Sequence, residues 1–248
     1  MAHFKHLIPL IDLTTLNPDE SEERIVKFCK NATTPFGRVA SVCVAPPFVN
    51  LARQTLDELH ANSIGVTTVF CPEEIHEEDI LKRVDTALDQ GANSIEVIYP
   101  VAAHREGNET FCAQYISGIR ALCLTKGAEL KVILECSQLD DEASLRRACQ
   151  IAIQHGARFL KSSSHRYKHE SSEWLSIMID EIKKSGKTVG IKLSGGCLDI
   201  EQTLYYLQHI SEQLPQEKLS AEYVRIGCSS LLTEILNSLG AIAADDAF

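Results

Sequence analysis

Two lysines stand where lysine is costly. Lys161 closes the run Phe159-Leu160-Lys161, and Lys192 closes Val189-Gly190-Ile191-Lys192. Both are short apolar runs of the kind that form strands covered on both faces. Burial disfavours an ammonium, so the pattern predicts amines whose protonated form is weakened. A neutral amine attacks carbonyls and forms a Schiff base. Two such lysines on neighbouring strands would also repel each other when charged, which weakens the protonation of at least one. The alternative is that each side chain leaves its strand end and is solvated.

Carboxylates accompany the amines. Glu96 stands in Ile95-Glu96-Val97-Ile98 and Asp12 in Ile11-Asp12-Leu13. A carboxylate beside a neutral amine can move protons while an imine forms. The alternative is an ion pair that only holds the fold together. Cys43, Glu135 and Ser229-Ser230 also end or follow apolar runs. Three segments rich in Gly and Ser come after the late runs: Ser162-Ser163-Ser164-His165-Arg166, Leu193-Ser194-Gly195-Gly196 and Ile226-Gly227-Cys228-Ser229-Ser230. The last two lead directly into helical segments, whose first N–H groups are free to bind an anion. Simple tight turns are the alternative.

Such residues need a frame that brings distant runs together. Eight apolar runs recur, at 8–11, 39–44, 64–70, 95–99, 130–134, 159–161, 189–192 and 223–226. Helical spacing lies between them. Over 140–154, Leu145, Ala148, Cys149, Ala152 and Ile153 share one face. Asn17-Pro18 is expected to open the first helix. Gly91, Gly127, Gly156 and Gly186 are expected to close helices just before a strand. Eight strand–helix units about 30 residues apart predict an α/β protein, a (β/α)8 TIM barrel, as one domain over residues 1–248. An open doubly wound sheet would need a Gly-rich turn after its first strand, and Asp12-Leu13-Thr14-Thr15-Leu16 is not one. In a barrel the chemistry lies at the C-terminal strand ends, where the residues above fall.

Composition agrees with an ordinary globular protein. The chain has 248 residues, 44% of them hydrophobic and 23% charged, enough to bury about 75% of the unfolded surface. Its net charge of −10 argues against nucleic acid as the main partner, since phosphate backbones need a basic face. A small phosphorylated molecule needs only one local anion site. The nine cysteines include no C-x-x-C pair and read as free thiols of a reducing, cytoplasmic setting. No run approaches the ~18 apolar residues of a membrane helix, and with no long apolar run behind Met1-Ala2-His3-Phe4-Lys5-His6 a signal peptide is not expected.

At these residues the sequence resembles the 2-deoxy-D-ribose-5-phosphate aldolases, class I Schiff-base aldolases. The resemblance runs from Asp12-Leu13-Thr14-Thr15-Leu16 to Gly227-Cys228-Ser229-Ser230-Leu231-Leu232. It implies that Lys161 is the Schiff-base lysine and that Lys192 is the second lysine that lowers its pKa. It places Gly195 and Gly196 as the paired glycines after Lys192, Glu96 at the proton-relay carboxylate and Cys43 at a substrate-contacting cysteine. The family has Asp at the position of Glu96 and Thr-Gly-Lys where this chain has Ser164-His165-Arg166, which keeps a cation at Arg166. It has Pro-Ala where Leu193-Ser194 follow Lys192, and an arginine where Leu198 stands. The departures cluster around substrate and phosphate and leave both lysines intact.

The expectation is therefore a lyase that reversibly cleaves 2-deoxy-D-ribose 5-phosphate to glyceraldehyde 3-phosphate and acetaldehyde, without metal or other cofactor because the imine is the electron sink. Lys161, Lys192 and Glu96 are the expected catalytic groups. Asp12, Thr14, Cys43, Ser164, Arg166, Gly195, Gly196, Ser229 and Ser230 are the expected substrate contacts. A small phosphorylated aldehyde or sugar is the partner, with no nucleic acid or membrane, and a homodimer is one option for assembly. Imine chemistry on another carbonyl and a non-catalytic sugar-phosphate-binding barrel are the alternatives.

Overall fold

The computed structural model describes residues 4–71, 77–164, 170–194 and 199–240. Eight parallel strands close into a barrel: β1 (Ile11–Thr14), β2 (Ser41–Val44), β3 (Gly65–Phe70), β4 (Ser94–Ile98), β5 (Glu129–Ile133), β6 (Phe159–Lys161), β7 (Gly190–Ser194) and β8 (Val224–Cys228). Each pairs with the next in sequence, and β8 returns to β1. Helices α1 (Glu22–Asn31), α2 (Val49–Glu58), α3 (Glu77–Asp89), α4 (Glu109–Thr125), α5 (Glu142–Gln154), α6 (Ser172–Ser185), α7 (Ile200–Ser211) and α8 (Leu231–Ser238) follow the strands in turn. This is the (β/α)8 barrel that the spacing predicted. Among the described residues no helix is long and apolar enough to cross a membrane.

The helix boundaries follow local chemistry. Asp141 caps α5, its carboxylate accepting the Ser144 N–H at 2.8 Å. Gly186 closes α6 at φ 63°, a conformation that costs glycine little. The first helix corrects one expectation. It begins at Glu22 behind a Ser21 cap, whose hydroxyl accepts the Arg24 N–H. Asn17-Pro18 sits in the preceding turn, where Glu20 N–H donates to the Asn17 carbonyl. The first apolar run is a second correction. Lys5–Leu10 forms a 3-10 helix, and β1 starts only at Ile11. Pro9 has no N–H to give a sheet ladder, so Leu7, Ile8 and Leu10 are buried as a packed turn instead.

The strands are also less uniformly apolar than expected. Successive strand side chains alternate faces. Ile95, Val97, Leu130, Val132, Leu160, Ile191, Leu193, Val224 and Ile226 belong to the large apolar core together with helix residues such as Ile116, Ala148, Ile179 and Ile235. Each such fully buried branched side chain stabilises by about 1.5–3 kcal/mol, so this shell between sheet and helices holds the barrel closed. The alternate positions face inward and are mostly polar: Asp12, Ser41, Thr67, Glu96, Lys131, Lys161, Lys192 and Arg225 meet one another across the lumen. Among the described residues, Cys71, Ile98 and Ile133, backed by Val69, form a small apolar cluster apart from the main core. The eight cysteines among the described residues are buried free thiols.

Candidate active site

Register and two glycines set the site. Lys161 lies beside Lys192, and Lys192 beside Arg225, in the β6–β7–β8 ladder. Glu96 lies beside Lys131 on β4 and β5. Lys192 runs against β8 where Gly227 has no side chain; a Cβ there would stand 2.8 Å from Lys192 Cε. A Cβ on Gly190 would stand 2.4 Å from the Phe159 ring. Phe159 thus fills the lumen below the lysines, with Lys131 Nζ and the Arg225 guanidinium each 5.6 Å from its ring centre.

Two carboxylates and four cations make one buried network. Lys161 Nζ donates to Glu96 Oε2 at 2.7 Å, and Lys192 Nζ to Glu96 Oε1 at 2.5 Å. Lys192 Nζ also lies 2.8 Å from Asp12 Oδ2. Lys131 Nζ donates to that same oxygen at 2.9 Å and stands 4.0 Å from Glu96 Oε1. Arg225 and Ser41 both donate to Asp12 Oδ1, at 2.8 and 2.7 Å. Asp12, Glu96, Lys131 and Lys192 are fully buried, and Lys161 is 6% exposed. Arg225, 14% exposed, opens toward the N-terminal end of the barrel, so Lys161 is the only one of the three lysines with any exposure among the described residues.

The electrostatics follow from counting. Burial alone would raise the Glu96 carboxyl, but Lys161, Lys192 and Lys131 outweigh it and hold it down at about 2. Asp12 likewise ends well below the ordinary carboxylate range through Lys131, Lys192 and Arg225. Burial works against the Lys192 ammonium, yet Asp12 and Glu96 together keep it above the ordinary lysine value. Lys131 goes the other way: its burial dominates, Asp12 answers only in part, and Lys192 repels it, so its pKa falls. Lys192 is thus a fixed cation set between two fixed anions, next to Lys161 in register.

The remaining expected residues divide into three groups. Asp12 is not at the mouth: both its oxygens are engaged, by Ser41, Arg225, Lys131 and Lys192, so it anchors the network. Thr14 and Cys43 are adjacent in the β1–β2 ladder. Thr14 bonds the Asp12 carbonyl, and burial followed by the Glu96 charge pushes the Cys43 thiol up to about 11, so it stays protonated. Ser164 follows β6 with its N–H donated to Glu135 at 3.1 Å, and Ser229 and Ser230 are exposed between β8 and α8. Arg166, Gly195 and Gly196 lie outside the described residues.

Lys131 and Arg225 belong to the network but do not emerge from the sequence as candidates. The signal existed, a charge inside Leu130-Lys131-Val132 and Val224-Arg225-Ile226, the same anomaly that marks Glu96. Glu170 is also buried near the mouth, and nothing in its sequence context separates it from a surface glutamate. Among the described residues no cluster of three or more His, Cys, Asp or Glu side chains could hold a metal. At the N-terminal barrel end, Ser41, Thr67, Ser94, Lys131 and Arg225 line part of a polar cavity of about 300 Å³, which reaches the network from behind.

Known proteins share this fold. The family model described as DeoC/LacD family aldolase matches residues 6–231. A provisionally named deoxyribose-phosphate aldolase from Coccidioides immitis is 25% identical, with a TM-score of 0.82 over 96% of this chain and 87% of that one. A provisionally named counterpart from Toxoplasma gondii ME49 has a TM-score of 0.84 at 20% identity, over 96% and 94% of the two chains. The deoxyribose phosphate aldolase from Aeropyrum pernix, described as tetrameric, has a TM-score of 0.78 at 23% identity, over 98% and 94%. The last two show the fold alone.

Proposed function

Because the chain belongs to the DeoC/LacD family of aldolases, we propose that it is a Schiff-base lyase that cleaves 2-deoxy-D-ribose 5-phosphate reversibly to glyceraldehyde 3-phosphate and acetaldehyde. One observation carries this reading. The slightly exposed Lys161 amine shares the Glu96 carboxylate with a permanently charged, fully buried Lys192. Glu96 divides its charge among Lys161, Lys192 and Lys131. The Coccidioides immitis neighbour supports the choice of substrate.

In the cleavage direction Lys161 Nζ adds to the aldehyde carbon of the open-chain sugar and the carbonyl oxygen leaves as water, giving a protonated imine. The C3 hydroxyl loses its proton, the C2–C3 bond breaks, and its electron pair passes into the iminium. Glyceraldehyde 3-phosphate leaves, the enamine takes a proton at C2, and hydrolysis frees acetaldehyde. Glu96 Oε2, 2.7 Å from Lys161 Nζ, is within reach for proton transfer directly or through one water. Ser164, Arg166, Gly195, Gly196, Ser229 and Ser230 are the proposed phosphate contacts, and Cys43 and Thr14 the proposed walls for the two-carbon end.

Two measurements test the reading. Acetaldehyde with cyanoborohydride is expected to leave one reduced adduct, mapped by mass to Lys161, and the deoxy sugar phosphate to yield acetaldehyde in a coupled assay. The absence of both the adduct and the product would overturn it. Glu96→Gln keeps the shape and removes the proton acceptor, so kcat is expected to fall about 10²-fold or more. It also leaves buried ammonium groups short of a partner, a loss of about 3–5 kcal/mol for a broken buried pair, which parallel unfolding curves would show. Glu96→Asp keeps the charge and is expected to retain most activity. A fully active Glu96→Gln would leave Glu96 a purely structural partner.

A further inference from the structure

We propose that Glu170 is a positioning residue for imine formation: its carboxyl group clasps the ends of the two strands that carry Lys161 and Lys192. The inference rests on the Schiff-base reading above. The β6–β7 ladder runs from Phe159 beside Gly190 to Lys161 beside Lys192 and stops there. Beyond that point side chains take over. Glu170 Oε2 accepts the Ser162 hydroxyl at 2.5 Å and the Ser194 N–H at 3.0 Å. Ser162 is the residue after Lys161, and Ser194 is two residues after Lys192. Oε1 accepts the Ser171 N–H at 3.3 Å, and the Tyr206 hydroxyl on α7 donates to the Glu170 carbonyl at 3.1 Å. One carboxyl group thus joins the two lysine strands to each other and to the start of α6.

The group is expensive where it sits. Glu170 is 7% exposed, and no ion pair among the described residues includes it. Among the described residues, the titratable groups facing it are Cys136, from the turn after β5, and Tyr206, from α7; Glu135 acts on the same Cys136. Neither Cys136 nor Tyr206 supplies a positive charge. Burial raises the Glu170 carboxyl, the donors Ser162, Ser194 and Ser171 pull it only part of the way back, and it ends at about 7. A glutamine would fill the space without a charge. A costly carboxylate held at the junction of the catalytic strands points to a role in function rather than in folding.

Its hydrogen bonds indicate which form works. All three groups donate to the carboxyl, so the ionised form satisfies them. Protonation places a hydrogen on a group already receiving donors and loosens the clasp. Activity is therefore expected to fall as pH drops through about 7. Stability runs the opposite way. The native value lies above the ordinary 4.5, so the folded state holds the proton more tightly than the unfolded chain. Stability is then lost between about 4.5 and about 7 as pH rises.

Glu170→Gln provides the test, read by cyanoborohydride trapping of acetaldehyde at Lys161 and by kcat and KM from pH 5.5 to 9. The variant is expected to lose the limb near neutrality and to run about tenfold slower at pH 8, with KM little changed, because misplacement rather than lost contact is at work. It is also expected to unfold at a higher temperature than the wild type at pH 8. Ser162→Ala, which removes one donor to the ionised form, is expected to keep the limb and move it to higher pH. A Glu170→Gln enzyme with an unchanged limb and rate overturns the clasp, as does a Ser162→Ala limb that stays in place. Imine that still maps to Lys161 in those cases leaves the Schiff-base reading standing. If no imine forms in the wild type at any pH, that reading falls and the clasp falls with it.

Discussion

Lys161→Ala is expected to abolish turnover, with a loss on the order of 10⁴-fold or more, the scale seen when a covalent nucleophile is deleted. The folded protein should survive the change. Without Lys161, Glu96 still has Lys192 at 2.5 Å and Lys131 at 4.0 Å, so no buried carboxylate is stranded. The deletion instead removes one of the cations crowding two carboxylates. Stability is therefore expected to stay within about 1 kcal/mol of the wild type, well short of the 3–5 kcal/mol expected for a stranded buried charge. Rate assays and denaturant unfolding on the same preparations separate the two effects. The variant should also lose the acetaldehyde adduct. An adduct that persists and maps to Lys192 would reverse the roles of the two lysines.

Lys192→Met is expected to produce the second largest effect, and its signature is a pH profile. Lys192 is a fixed positive charge beside Lys161 in the ladder, bonded to the carboxylate that Lys161 also uses. Removing it eases protonation of the remaining amine and gives Lys161 a larger share of Glu96. Imine formation then needs a higher pH, and the rate at pH 7 falls by about 10–100-fold, tenfold for each unit of displacement. Activity should recover toward pH 9–10. An unshifted profile would take Lys192 out of the mechanism.

Folding does not confuse that profile. The native pKa of Lys192 lies above the ordinary value of 10.5. Its contribution to stability is therefore complete below about 10.5 and is lost only as pH rises through the native value. Glu96 and Asp12 are depressed, Glu96 to about 2. Their contributions are complete above their unfolded values near 4.5 and 3.8 and fade only as pH falls below them. Between pH 6 and 9 none of the three titrates in the wild type. The stability deficit of Lys192→Met should be flat across that window while its activity climbs. A deficit that varies with pH in step with activity would mean that the rate loss is partial unfolding.

The sequence by itself determined what short-range rules govern. Eight apolar runs separated by helical spacing specified the barrel, because each unit carries its own periodicity and punctuation. The glycines at 91, 127, 156 and 186 closed helices with positive φ as expected, because a left-handed cap is decided within one turn. Lys161, Lys192 and Glu96 were legible for a similar reason: a charge inside an apolar strand is anomalous wherever the strand lies. What the tertiary structure decided was which charges meet. Asp12 and Arg225 are 213 residues apart in the chain, and Asp12 and Lys131 are 119 apart. Their contact exists only because β8 closes on β1 and the pleat turns both side chains into the lumen. In strands of three to six residues, a shift of one position sends a side chain to the opposite face. No local pattern could therefore say that Lys131 and Arg225 point inward, that Asp12 anchors the network rather than facing the mouth, or that Glu170 bridges two strand ends. Those placements depend on register and closure, which the whole set of strands settles together.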